Sequence, residues 1–104
     1  MKKDYNKIPI EYYHMLSDGV VKIAIHDFTS ALWNLDNGYG DDKDKEALEK
    51  AIYFFTRSRL CEILYSKEQR ELIIEMMENR VKEGLVYSYG KEDWIKPSGK
   101  ARYF

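Results

Sequence analysis

Apolar residues recur at three- and four-residue steps in three stretches of this chain, and each stretch predicts an α-helix. In the first, Val21 to Leu35, the positions Val21, Ala24 or Ile25, Phe28, Leu32 and Leu35 share one face, which leaves Lys22, Thr29 and Asn34 for the wetter side. Ser17 is placed to cap this helix, with Asp18 at the positive end of its dipole. In the second, Ala47 to Leu64, the apolar face runs through Leu48, Ala51 or Ile52, and Phe55. Ser58 either continues that helix or caps a short new one carrying Leu60, Cys61, Ile63 and Leu64, and a break between Thr56 and Ser58 is the preferred reading. The third begins at Ser66-Lys67-Glu68-Gln69, a capping-box sequence in which serine and glutamine satisfy each other's exposed backbone donors. It continues through Leu72, Ile73, Met76, Met77, Arg80 and Val81 to a stop at Gly84, with Leu85 folding back as the hydrophobic contact.

The connections are equally readable. Asn37-Gly38-Tyr39-Gly40-Asp41-Asp42 is rich in residues that accept positive backbone angles and reads as a loop, with Asp42 or Asp44 to cap the helix after it. Leu85 to Tyr89 suits a short strand but shows no partner strand. Residues 1–16 form an irregular aromatic arm in which Pro9 holds Ile8 extended. The expected architecture is all-α: a small bundle of three to four helices in a single domain over residues 1–90. An extended or mobile basic-aromatic tail follows over residues 91–104, where Pro97, Ser98 and Gly99 fall.

Length and composition limit what such a domain does. A chain of 104 residues suits one domain, and folding at this size buries very roughly 65% of the unfolded surface. A net charge of −1 gives no global attraction to phosphate and no resemblance to a dense polyanion. The single cysteine, Cys61, rules out an internal disulfide framework and fits a reducing compartment. No apolar run is long enough to span a membrane, and the start Met-Lys-Lys-Asp-Tyr-Asn is unlike a signal peptide, so a cytoplasmic location and no membrane partner are expected.

No catalytic, cofactor or metal centre is expected. Glu11-x-x-His14 has the spacing of half a di-iron site, but the other histidine, His26, has Ile23 three residues before it in place of a carboxylate. The acidic stretch from Asp36 puts Gly38 and Gly40 at the third and fifth positions of a would-be calcium loop and Ala47 at the twelfth. A thiol–base pair of Cys61 with His26 or His14 requires contact and a lowered pKa, whereas Cys61 lies among Leu60, Ile63 and Leu64 as an inert core thiol does. Asn37-Gly38-Tyr39-Gly40 lacks the lysine and preceding strand of a phosphate-binding loop.

Two binding readings stand out. Nine tyrosines, four phenylalanines and two tryptophans exceed what one helical stripe absorbs, and aromatic and arginine side chains dominate protein interfaces. Trp33, Tyr53, Arg57, Arg59 and Trp94 are the candidates for a protein-binding surface, and a homo-oligomer is one form it could take. The alternative is nucleic-acid binding by the two ends of the chain. There Lys2 and Lys3 neighbour Tyr5, and Lys91, Lys96, Lys100 and Arg102 interleave with Trp94 and Tyr103, although Asp4, Glu92 and Asp93 dilute both patches.

The pattern Val21-Lys22-x-Ala24-x-x-Asp27-Phe28-x-x-Ala31-Leu32, followed by Phe54, Phe55 and Ser58, resembles small phage and prophage proteins of Gram-positive bacteria over about residues 20–78. In those proteins the serine is usually followed by Asp-Trp-aromatic and an Asp-Gly turn, where this chain has Arg59-Leu60-Cys61 and Ser66-Lys67-Glu68-Gln69. The resemblance implies a non-enzymatic mobile-element accessory protein in the cytoplasm of a bacterial host. Its expected action is stoichiometric binding of a host or phage protein, including inhibition of a host defence nuclease in the manner of anti-CRISPR proteins.

Overall fold

The computed structural model of the chain describes residues 19–101. Four helices lead into a two-stranded hairpin: α1 (Gly19–Asp36), α2 (Asp42–Arg57), α3 (Arg59–Leu64), α4 (Lys67–Lys82), β1 (Val86–Ser88) and β2 (Asp93–Ile95). This is the all-α bundle that the periodicity predicts, with a small sheet added at one side. The N-terminal arm and the Ser17 cap lie outside the described residues.

Each helix boundary has a local chemical cause. Asp41, rather than Asp42 or Asp44, caps α2: its carboxylate accepts from the backbone N–H of Asp44 at 3.1 Å. Asp44 returns the bond by accepting from the Asp41 N–H at 3.0 Å. The box at α4 forms as expected, with Gln69 N–H on Ser66 Oγ at 3.2 Å and Ser66 N–H on Gln69 Oε1 at 2.8 Å. Gly84 adopts a left-handed conformation at φ 86° and closes α4 with paired Gly84 N–H to Val81 O and Leu85 N–H to Arg80 O bonds. The break between α2 and α3 falls at Ser58, whose extended backbone (φ −67°, ψ 130°) serves as C-cap of one helix and N-cap of the next.

The core gathers Val21, Ile25 and Phe28 of α1, Ala51 and Phe55 of α2, Cys61 of α3, and Ile73, Met76 and Met77 of α4. Burying side chains of this size contributes about 1.5–3 kcal/mol each for the larger ones. Tyr65 and Tyr87 close it at the edges. Of the alternatives in α2, Ala51 is the inward residue and Ile52 is exposed.

The predicted strand does have a partner, and it lies in the tail. β1 and β2 pair antiparallel with Val86 opposite Ile95, Tyr87 opposite Trp94 and Ser88 opposite Asp93. A partner of three residues is too short to register as a periodic pattern in the sequence. The chain then runs back along α1 to a buried Ala101.

Candidate functional site

α1 is covered on two sides, and its second stripe is polar. Lys22, His26, Thr29, Trp33 and Asn34 recur at the same helical steps as the apolar residues and hold the C-terminal segment by hydrogen bonds. Lys22 Nζ donates to Glu92 at 2.9 Å, which raises the lysine pKa. His26 Nδ1 lies 2.8 Å from the Tyr87 carbonyl oxygen and 3.3 Å from the Tyr89 backbone nitrogen, so one ring nitrogen bridges two main-chain groups of the C-terminal segment. Thr29 Oγ1 donates to Ile25 O at 2.8 Å and accepts from the Tyr87 N–H at 3.0 Å.

Asn34 completes the seam. Its Oδ1 accepts from the Ala101 N–H at 2.7 Å, and its Nδ2 donates to Ala101 O at 2.9 Å and to Asp44 Oδ1 at 3.0 Å. The opposite amide orientation would set oxygen against oxygen at two of these contacts, so the arrangement is self-consistent. The expectation that Thr29 and Asn34 face water is therefore corrected: both are fully buried. Their polarity matches backbone groups of the tail, a requirement that the local pattern on α1 does not reveal.

The five predicted interface residues separate into two groups. Trp33 and Trp94 are half-buried and serve the fold. Trp33 Nε1–H donates to Gly99 O at 2.9 Å. Trp94 meets Tyr87 edge to face at 5.5 Å between centroids, and the Arg80 guanidinium sits 5.6 Å from its ring. Tyr53, Arg57 and Arg59 remain exposed around the α2–α3 elbow. The elbow is pinned from the inner side by Arg70 of α4, which donates to Thr56 O at 3.0 Å and Phe55 O at 3.4 Å.

The surface of this elbow holds two residues that the sequence reading grouped with Cys61 and Leu64. Leu60 and Ile63, three apart and thus on one face of α3, are 42% and 74% exposed. Cys61 is on the opposite face and fully buried, while Leu64 packs partly against the core. A helix of six residues shows too little of its period for the inward and outward faces to be told apart from sequence. Ile52, Tyr53, Arg57, Arg59, Leu60 and Ile63 are all exposed along one continuous stretch of chain, with the exposed Glu62 among them.

Of the nucleic-acid candidates, Lys91, Lys96 and Lys100 are exposed, and Lys100 forms an ion pair with Asp41 at 3.2 Å. Lys2, Lys3 and Arg102 lie outside the described residues, as do Glu11 and His14. Burial pushes the Cys61 thiol up to about 11, with nearby Arg70 offsetting part of the effect, so the thiolate is scarce. Among the described residues, no group of three histidine, cysteine or carboxylate side chains gathers to hold a metal ion. No described helix is long and apolar enough to cross a membrane. Comparison with family models, curated proteins and solved structures finds no match to this chain.

Proposed function

We propose that this protein acts non-enzymatically, by stoichiometric binding of another protein at the α2–α3 elbow. What supports this reading is the exposure of Leu60 and Ile63 on one face of α3, flanked by Tyr53, Arg57 and Arg59. Isolated exposed apolar side chains are ordinary, but a short helix that offers two of them beside an exposed tyrosine and two arginines has the composition of an interface centre. The partner is a host or phage protein, and a host defence nuclease is the first to test, because the likeness to phage proteins implies a mobile-element role.

The test is affinity capture from bacterial lysate, followed by titration of the purified partner with the full chain and with Leu60→Asp, Ile63→Asp and Tyr53→Ala. These positions are solvent-exposed, so thermal melts should match the parent. Loss of about tenfold or more in affinity, without loss of stability, is the expected result. A complex that survives all three substitutions overturns the elbow assignment.

Nucleic-acid binding by the basic C-terminal segment is the second reading, favoured by exposed Lys91 and Lys96, which form no ion pair among the described residues. It predicts an affinity that falls steeply with salt and weakens in Lys91→Gln and Lys96→Gln. Failure to bind any nucleic acid at about 50 mM salt rules it out.

A further inference from the structure

One member of the polar row on α1 is not used by the fold. Ser30 is 1% exposed, and its Oγ has no hydrogen-bond partner among the described residues, although its neighbours Thr29, Trp33 and Asn34 all bond to the C-terminal segment. Buried hydroxyls are normally satisfied, and a serine within a helix usually turns its hydroxyl to the carbonyl one turn back. Ser30 instead lines an open cleft of about 290 Å³ bordered by α1, β1 and the segment from Ile95 to Ala101.

The chemistry of this cleft is one-sided. Ile95, Pro97 and Val86 supply apolar wall, and Lys96 and Lys100 supply positive charge. No carboxylate lines it among the described residues. Lys100 reaches outward to Asp41, but Lys96 has no anionic partner among the described residues. The volume is at the small end of the range for ligand-binding cavities, about 300–1,000 Å³.

We infer that this cleft is a binding site for a small organic anion, with a carboxylate or phosphate held by Lys96 and the Ser30 hydroxyl and a compact apolar body against Ile95 and Pro97. Ser30 donates to an anionic oxygen from the buried wall, and the exposed Lys96 supplies the opposing charge. The site is on the opposite side of α1's apolar face and shares no residue with the α2–α3 elbow, so it stands or falls independently of the protein-binding surface.

The test is a titration of the full-length, isotopically labelled chain with benzoate, phenyl phosphate and inorganic phosphate, with benzylamine as the cationic control, read by amide chemical shifts. Saturable shifts at Ser30 and across residues 95–101 with benzoate or phenyl phosphate are expected. The stronger of the two identifies the acid group. Lys96→Gln should weaken that binding by about tenfold and Ser30→Ala by about fivefold. Ser30→Ala removes an unsatisfied buried hydroxyl, so its melting temperature should hold or rise, which separates loss of ligand from loss of fold. Equal shifts with benzylamine, binding unaffected by Lys96→Gln, or no saturable shift with any anion would overturn the inference. Inorganic phosphate binding as tightly as phenyl phosphate would overturn the role of the apolar wall.

Discussion

Asn34 ties α1 both to the C-terminal segment and to the start of α2 through a single side-chain amide. One amide satisfies both backbone groups of Ala101 and one oxygen of Asp44, itself fully buried. Asn34→Ala would strand the N–H and C=O of Ala101, at about 1–3 kcal/mol for each left unsatisfied, and part of the loss is recovered wherever water enters. A net cost of about 2–4 kcal/mol is expected, seen as a fall in melting temperature of roughly 10 °C or more. Asp27 offers a test of opposite sign. Burial raises its carboxyl above the ordinary 3.8, with the neighbouring His26 offsetting part of the rise. The folded state therefore holds that proton more tightly than the unfolded chain does. Its stabilising effect is complete below the ordinary carboxylate value and is lost as pH rises through the raised one. Asp27→Asn should accordingly melt higher than the parent near neutral pH, and the two melting temperatures should converge in acid.

The helices differ in how openly their sequences declare them. α1 and α4 show several turns of apolar spacing, and the Ser66–Gln69 box and Gly84 mark the ends of α4 in residue types whose local chemistry admits few alternatives. α2 is legible as a helix, but its start is not: three aspartates within four residues can each cap, and in the fold Asp41 does so in a reciprocal box with Asp44, which Asn34 also contacts. α3 is the limiting case. Its six residues are positioned by the Ser58 turn and by Arg70 reaching across from α4 to the last carbonyls of α2. These restraints turn Cys61 inward and leave Leu60 and Ile63 outside, so the candidate binding surface emerges from long-range contacts rather than from the helix's own pattern.

The molecule as a whole closes through its C-terminal segment. From Tyr87 onward the chain pairs β1 with β2, packs Trp94 on Tyr87 and Arg80, and runs to Ala101 along the polar face of α1. Deleting residues 91–104 should therefore cost cooperative folding itself, with a broad, low-temperature unfolding transition by circular dichroism. A sharp transition at the parent temperature would show that the seam contributes little. The same reasoning bars this truncation as a probe of nucleic-acid binding, for which single lysine substitutions are the sound choice. Helix existence, the α4 caps and most core positions follow from periodicity and capping chemistry, because these act over one or two turns and each residue reports its own environment. Which polar residues are buried, which apolar ones are left outside, and where the cleft beside Ser30 opens were settled by contacts between segments tens of residues apart. An asparagine on a helix reads as solvent-facing until the backbone that it clamps has been folded against it.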